Sequence, residues 1–385
     1  MIYRLIVSVL ATVLLVLTVS ACNNDHQADS TVENVSLHTG LGGDSSGYKR
    51  ACGPRRFNFP SDHAAHPEYR NEWWYITGNV ENRANDKFGF HVTFFRIAND
   101  PPSDDVKTSA WSGNEFYMAH FAITSATDNN IKYYERFGRA AAGLAGASRT
   151  ATGKEVPTTR VWLDDWRMEM TEVGQSMQLG LSLSEGNTGL ALSLMAEKPL
   201  VLQGDKGYSQ KSDDPCNSSY YYAFTRLDVS GALEFDGTTQ AVSGSAWLDR
   251  EWSSSALSDE QTGWDWFALQ FDDGRDVMLY QLRKKGDVID KHSHGVEIDE
   301  TGEKKVIPLS DWEVTGEQWW QSESGSIYPV AGSIQRADTG ETIVYKPLIQ
   351  NQELDLTVRY WEGAIELFNL EGGKIGRGYM ELTGY

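Results

Sequence analysis

The sequence predicts an all-β chain built from antiparallel meanders. Short segments alternate apolar and polar residues, as in "FGFHVTFFR" (88–96), "DVMLYQLR" (276–283) and "LDLTVRYW" (354–361). This period of two is that of a strand rather than a helix. Turn signals such as "SEGNTG" and "FDDGRD" separate the segments, and residues 264–283 repeat the order Trp, strand, turn, strand, Arg of residues 72–96. We therefore expect two related halves, built as barrels or sandwiches.

The first 22 residues predict export and a lipid anchor. A basic start leads into an apolar run of 15 residues, 5–19, which is too short for a comfortable membrane span. The small residues of "VSAC" then precede Cys22, as in bacterial lipoprotein signals. We expect a signal peptide over residues 1–21 and acyl chains such as palmitate on Cys22, with ordinary cleavage near Ala21 as the alternative. The protein would then be anchored by lipid to a membrane of the bacterial cell envelope, facing the periplasm.

The remaining chain divides into a tether and two domains. Residues 22–55 are polar and rich in Gly, Ser and Asp, which is typical of a flexible tether. We place the first domain over residues 56–240 and the second over residues 241–385. Because exported cysteines usually pair in an oxidising compartment, we also predict a disulfide between Cys52 and Cys216.

Charge and motif content exclude several classes of protein. A net charge of −20 disfavours nucleic acid, because such a surface repels phosphate backbones. The sequence contains no phosphate-binding or dinucleotide-binding fingerprint, so we expect no cofactor. The paired histidines at 63 and 66, and at 292 and 294, have no third ligand nearby in sequence, so we expect no metal site.

The segment "HPEYRNEWWYITGNV" (66–80) places a carboxylate directly before three large rings. We interpret it as the first barrel strand, with alternate side chains packing inside and at the mouth. The carboxylates of Glu72, Asp249 and Glu251 have a structural alternative, which is pairing with Arg70, Arg250 or Arg96 at the barrel mouth. His91 and His120 lie in alternating segments and are expected to be core or lining residues.

Four long motifs resemble the AttH/CrtC family, which comprises lipocalin-like proteins and includes the carotenoid 1,2-hydratases. They are residues 66–80, "SYYYAFTRL" (219–227), "WLDREWSSSALSDEQTGWDWFALQ" (247–270) and "GRGYMELTGY" (376–385). The resemblance covers about residues 57 to 385. It implies a pair of lipocalin-like β-barrel domains, but a fold does not fix a reaction.

The hydratases of this family protonate an isolated double bond, which requires a neutral acid beside aromatic faces. Here the segment that resembles their catalytic motif is "GSAWLDREW", which keeps the acid as Asp249 but has Trp247 in place of a tyrosine. Their His-x-Trp pair falls by spacing near Tyr220 and Tyr222, so the histidine is absent. We therefore expect no measurable hydration of carotenoids.

The leading hypothesis is a membrane-tethered protein that binds an apolar lipid or isoprenoid ligand, since eight-stranded barrels can hold one small ligand inside. One alternative is a hydro-lyase or cyclase with Asp249 as general acid. Another is an accessory lipoprotein that partners the permease of an envelope ABC transporter. The candidate catalytic residues are Asp249 and Tyr222, and the candidate ligand-binding residues are Trp74, Tyr220, Trp247, Trp252, Trp264 and Trp266.

Overall fold

The alternating segments form strands throughout a computed structural model of the protein. The structure describes residues 45–101, 109, 113–150, 156–173, 176–255, 257–286 and 288–385. All of them belong to one compact unit, Asn34–Tyr385. The predicted signal peptide and the acylated Cys22 lie outside the described residues. Two short 3-10 helices, Ser61–His63 and Leu309–Asp311, accompany the strands.

The first sheet has 13 antiparallel strands and curls into a nearly closed barrel. Its main path runs in the order β4-β3-β2-β1-β13-β12-β9-β8-β7-β6-β5, and β10 and β11 pair with β12. Its strands are β1 (Asn71–Asn82), β2 (Lys87–Ala98), β3 (Glu115–Ser125), β4 (Asn130–Arg139), β5 (Ala145–Thr150), β6 (Thr158–Leu163), β7 (Trp166–Val173), β8 (Ser176–Glu185), β9 (Thr188–Ala196), β10 (Val201–Leu202), β11 (Tyr208–Gln210), β12 (Ser218–Phe235) and β13 (Thr238–Ser253).

The second sheet has 11 strands and forms a half-barrel. Its main path is β18-β17-β15-β14-β24-β23-β21-β20-β19, with β16 beside β15 and β22 beside β23. Its strands are β14 (Gln261–Phe271), β15 (Asp276–Lys284), β16 (Val288–Ile289), β17 (His294–Ile298), β18 (Lys304–Ile307), β19 (Trp312–Gln321), β20 (Ile327–Arg336), β21 (Thr342–Pro347), β22 (Glu353–Asp355), β23 (Arg359–Phe368) and β24 (Lys374–Thr383).

The all-β prediction is thus confirmed, and the internal repeat corresponds to a real likeness between the sheets. Residues 72–96 form the hairpin β1–β2, and residues 264–283 form the hairpin β14–β15. In each sheet the two strands of the hairpin are the third and fourth strands from one end of the main path. The first sheet continues to Ser253, beyond the boundary expected near residue 240, because β13 pairs along its whole length with β12. The change of sheet lies between residues 253 and 261.

The interior of the first barrel is filled by side chains. Alternate residues of its strands point inward and form one apolar cluster, in which rings such as Phe90, Phe94, Phe121 and Trp166 are fully buried. The rings and leucines that the alternation sends inward therefore pack against one another inside this barrel.

The outer face of the first barrel packs against the second sheet. A shared cluster contains Tyr75, Tyr221 and Trp247 from the first sheet and Trp266 and Tyr280 from the second. Most of β1 and β2, the first half of β12 and the second half of β13 are therefore buried on both faces. The molecule has a third apolar layer between its two sheets, in addition to the core of each sheet.

One end of this third layer depends on a glycine. A Cβ atom added to Gly89 on β2 would lie 2.6 Å from the Cβ atom of Ala364 on β23. This separation is far shorter than a van der Waals contact between carbon atoms. Only a residue without a side chain lets β2 and β23 approach each other at this point.

The two cysteines of the described region are joined. Cys52, before the first strand, forms a disulfide with Cys216, just before β12, across a sequence separation of 164 residues. This is the pair that the sequence predicts. It attaches the segment that precedes β1 to the strands of the first barrel. Among the described residues, none of the helices has the length and apolar character needed to span a membrane.

We predict that Gly89→Val lowers the free energy of unfolding by about 1–3 kcal/mol, because overpacking must push the two sheets apart. The matched control is Gly180→Val on β8, where an added Cβ atom meets nothing within 4 Å. Urea-induced unfolding followed by tryptophan fluorescence would measure both variants. Equal stability of the two would show that the sheets tolerate the added side chain.

Candidate functional site

A cavity lies between the two sheets and combines aromatic walls with a few ionisable groups. It encloses about 90 Å³, which is room for several water molecules or for one end of a larger ligand. Both sheets contribute to it, so neither sheet forms it alone. Its lining residues are Trp73, Tyr75, His91, Thr93, Phe95, Lys211, Tyr221, Asp249, Glu251, Ser253, Ser255, Leu257, Trp264, Trp266, Tyr280, Tyr360 and Glu381.

Asp249 is the carboxyl group at the centre of the first-sheet wall. It lies on β13 between β1 and β12, where Tyr75 and Ala223 are its direct neighbours. The hydroxyl of Tyr221 donates to Oδ2 at 2.6 Å, and the indole Nε1 of Trp247 donates to Oδ1 at 2.8 Å. Burial raises the pKa of Asp249 from 3.8 to about 8, against the smaller lowering effect of these two hydrogen bonds. At neutral pH this carboxyl group is protonated and can donate.

A buried ion pair lies on the same wall. The Nζ atom of Lys211 is 2.6 Å from Oε1 of Glu251 and 4.9 Å from the centroid of the Tyr280 ring. Burial opposes the charge on Lys211, but the Glu251 carboxylate and the Tyr280 hydroxyl outweigh it, so the pKa of Lys211 is raised. The cavity thus holds a fixed charge pair two residues away from a neutral acid.

The second sheet contributes another carboxyl group, Glu381 on β24. Burial raises its pKa to about 7, against the lowering effect of a hydrogen bond from Trp264. Neighbouring Glu251 raises it further. Both carboxyl groups of the cavity, Asp249 and Glu381, therefore have pKa values raised by burial.

Three of the predicted ligand-binding tryptophans lie at this site. Trp264 and Trp266 on β14 line the cavity, and the Trp266 ring packs edge-on against Tyr75 at 5.2 Å between centroids. Trp247 lies behind Asp249, where its indole N–H donates to the carboxyl group. In the resembling hydratase motif a tyrosine occupies the position of Trp247, so this chain keeps a hydrogen-bond donor there.

The other predicted residues lie on the opposite face of the first sheet and are not part of this cavity. Trp74, Tyr220, Tyr222 and Trp252 belong to the interior cluster of the first barrel. Tyr222 therefore does not lie beside Asp249, contrary to its predicted catalytic role there, because the even-numbered residues of β12 up to Phe224 point inward while Asp249 points outward. The Tyr222 hydroxyl instead lies 2.6 Å from Nδ1 of the buried His63.

Glu72 takes the structural alternative that the sequence left open. Its carboxylate is fully buried and lies between the guanidinium groups of Arg250 and Arg96, and Nη1 of Arg96 is 3.0 Å from Oε1. The backbone N–H of His66 also donates to Oε1, at 2.9 Å. Glu72 thus stabilises the end of the barrel, and it does not line the cavity.

Most of the polar lining residues were not predicted from the sequence. Tyr221 lies between Tyr220 and Tyr222, which were both predicted to be site residues. Side chains of a strand alternate between its two faces, and Tyr221 is on the face that meets Asp249. His91 was identified only as a core or lining residue, and it does line the cavity. Lys211, Tyr360 and Glu381 come from distant parts of the chain and carry no local signal. Within the described ranges, no three His, Cys, Asp or Glu side chains are grouped to hold a metal ion.

The fold and cavity define a class of two-sheet, lipocalin-like proteins with a cavity between the sheets. The family model described as AttH-like matches residues 50–385. The chain therefore belongs to the AttH-like family, as the motifs indicated. A search of the curated proteins finds no match to this chain.

Two solved structures illustrate the likeness. An AttH protein from Nitrosomonas europaea is 31% identical, with a TM-score of 0.74, and the match covers 88% of this chain and 99% of that one. Kievitone hydratase from Nectria haematococca is 14% identical, with a TM-score of 0.56, over 88% of this chain and 98% of that one. At this identity the second likeness shows a shared fold and not a shared reaction.

We predict that Asp249→Asn changes how stability depends on pH. Between pH 4 and 8 the unfolded wild type loses the Asp249 proton while the folded protein keeps it, so wild-type stability falls as the pH rises. The asparagine of the variant does not ionise, so this fall in stability with rising pH is absent from Asp249→Asn. The stability of the variant relative to the wild type should therefore increase by up to about 1.4 kcal/mol per pH unit.

Urea unfolding at several pH values between 4 and 8 would measure this difference. Asp228→Asn is the matched control, because Asp228 lies on β12 and is exposed to solvent. Its stability should follow that of the wild type at every pH. Parallel curves for Asp249→Asn and the wild type would mean that Asp249 is ionised in the folded protein.

Proposed function

We propose that this chain is a lipid-anchored protein of the bacterial envelope that binds an apolar ligand in the cavity between its sheets. The observation that carries the proposal is the protonated carboxyl group of Asp249 within aromatic walls. Aromatic faces bury the apolar part of a ligand, and one neutral donor positions its polar end. A lipid or an isoprenoid with a hydroxyl or carbonyl group has this chemistry.

The charges of the cavity favour a neutral ligand. Glu251 and Lys211 already neutralise each other, and Asp249 is protonated at neutral pH. A ligand carboxylate or phosphate would be placed near Glu381 and Glu251 without a free cation to balance it. The ligand class is therefore an uncharged molecule with an apolar body and one polar group.

A second candidate function is acid–base catalysis, as in a hydratase or cyclase. A carboxyl group that stays protonated at neutral pH, as burial makes Asp249, is the state that a general acid needs. This function would use the same cavity and the same ligand class. It differs from binding alone in requiring that the Asp249 proton be transferred.

We predict that farnesol, an uncharged isoprenoid alcohol, binds the cavity, and that Trp264→Ala weakens this binding about tenfold, or ~1.4 kcal/mol. Trp264 lines the cavity and is only partly buried, so its loss removes ligand contacts without emptying a core. Trp319→Ala is the matched control, because Trp319 lies on β19 and is 57% exposed. Isothermal titration calorimetry would measure both variants. Equal affinities of Trp264→Ala and Trp319→Ala for farnesol would mean that farnesol binds outside this cavity.

The envelope anchor has a separate test. Cys22→Ser should move the protein from the membrane fraction to the soluble fraction or block its maturation, because no acyl chain can then be attached. The double variant Cys52→Ser, Cys216→Ser keeps Cys22 and should remain with the membranes. Immunoblotting of fractionated cells would show the distribution. A membrane-bound and normally processed Cys22→Ser protein would contradict the anchor.

A further inference from the structure

Three hydrogen-bonded side chains begin at the cavity wall that the second sheet forms, and they lead away from the cavity. Tyr360 on β23 lines the cavity, and its hydroxyl lies 2.6 Å from Nδ1 of His120 on β3. The Nε2 atom of His120 lies 3.0 Å from Oε1 of Glu135 on β4. Tyr360 comes from the second sheet, and the two other residues come from the first. This series of hydrogen bonds therefore crosses from the second sheet to the first, at the same cavity that Asp249 lines.

The partners of Glu135 fix the direction of these hydrogen bonds. The hydroxyl of Thr357 donates to Oε2 of Glu135 at 2.8 Å. Burial raises the pKa of Glu135, but the hydrogen bonds from His120 and Thr357 outweigh it, so the pKa is lowered and the carboxylate is ionised. An ionised carboxylate only accepts. In the neutral imidazole form, His120 then carries its hydrogen on Nε2, which leaves the Nδ1 lone pair to accept from the Tyr360 hydroxyl.

Tyr360 therefore donates its one hydrogen away from the cavity. Burial, together with the neighbouring Glu362, raises the pKa of Tyr360 well above its ordinary value, so the phenol stays protonated at rest. Its oxygen keeps lone pairs that can accept a hydrogen bond from a group in the cavity. His91, whose ring lies 6.1 Å from the Tyr360 ring, is held neutral by burial, which lowers its pKa.

We propose that Tyr360, His120 and Glu135 form a relay that removes a proton from a water molecule or a ligand hydroxyl in the cavity. The O–H bond of that group breaks as its proton binds the Tyr360 oxygen, and the original Tyr360 proton moves to Nδ1 of His120. Because one proton arrives as the other leaves, no free tyrosinate is needed. His120 becomes an imidazolium beside the Glu135 carboxylate, which stabilises it in the manner of a catalytic triad.

The relay ends near the solvent. The side chain of Glu135 is 12% exposed, whereas that of His120 is fully buried. The imidazolium can therefore return its proton to bulk water through Glu135. In this assignment Tyr360 is the catalytic residue, and His120 and Glu135 are positioning residues that act through it.

The relay gives the cavity a base opposite the acid Asp249. Asp249 can give its proton to one carbon of a ligand double bond while a water oxygen bonds to the other carbon and passes its spare proton to Tyr360. The step consumes one water molecule and leaves an Asp249 carboxylate and a His120 imidazolium, and proton exchange with solvent restores both. Elimination of water is the reverse. This inference rests on the proposed function, because it requires a ligand in the cavity.

The experiment uses p-nitrophenol, a small neutral phenol that ionises readily and absorbs at a longer wavelength once ionised. Quenching of tryptophan fluorescence reports its binding, and the absorbance of the bound probe reports its ionisation. We expect saturable binding and an ionised probe in the wild type. Tyr360→Phe should still bind the probe but should lower its ionised fraction at least tenfold.

Nitrogen-15 NMR of His120 supplies an independent readout. Without probe, the wild type should show hydrogen on Nε2, and the bound probe should convert His120 to imidazolium in the wild type but not in Tyr360→Phe. Tyr345→Phe is the matched control and should behave as the wild type, because Tyr345 is buried in the core cluster on the opposite face of the second sheet. Merely structural hydrogen bonds would not change the protonation of the probe.

The outcomes separate the two proposals. A probe that binds the wild type and stays neutral would overturn the relay and leave the ligand cavity standing. Hydrogen on Nδ1 of His120 in the free protein would also overturn the relay. Absence of saturable binding would count against the cavity itself, and therefore against the proposed function and the relay together.

Discussion

The structure depends on a buried charge cluster in which one carboxylate is held by two arginines. Glu72, Arg96 and Arg250 come from the three adjacent strands β1, β2 and β13, and their side chains have no exposed surface. The Arg250 guanidinium also lies 3.9 Å from the Trp74 ring centroid. Leaving any one of these charges unpaired in the barrel would be costly. The cluster therefore fixes the register of the three strands and the direction of every side chain on them.

The cluster thereby determines the cavity on the other face of the same strands. Successive side chains of a strand point to opposite faces, so Arg250 inside the barrel requires Asp249 and Glu251 outside it. The same rule places Trp73 and Tyr75 outside when Glu72 is inside. The pKa values of the Glu72 and Asp249 carboxyl groups are then shifted in opposite directions. Two guanidinium groups hold the pKa of Glu72 well below its ordinary value despite its burial, whereas burial without a cation keeps Asp249 protonated.

The sequence predicted what depends on local pattern and could not predict what depends on the meeting of distant strands. The alternation of apolar and polar residues predicted the strands, and the internal repeat predicted the hairpins β1–β2 and β14–β15. In the second of these, Arg283 pairs with Asp265 at 3.0 Å, much as Arg96 pairs with Glu72. Asp249 could be found because its segment resembles the hydratase motif and its neighbours in sequence are aromatic. Tyr360 and His120 are 240 residues apart, and no spacing in the sequence indicates that they touch.

The position of the cavity has a physical cause in how the barrel is packed. Rings and leucines pack in the interior of the first barrel, and the cavity lies where the outer face of this barrel meets the second sheet. A site in this position takes residues from both sheets: an acid from β13 and a hydrogen-bonded tyrosine from β23. Because each sheet supplies only part of the polar set, the chemistry of the site requires correct docking of the sheets. The close approach at Gly89, which lets β2 and β23 come together, is in this sense part of the site although it lines none of it.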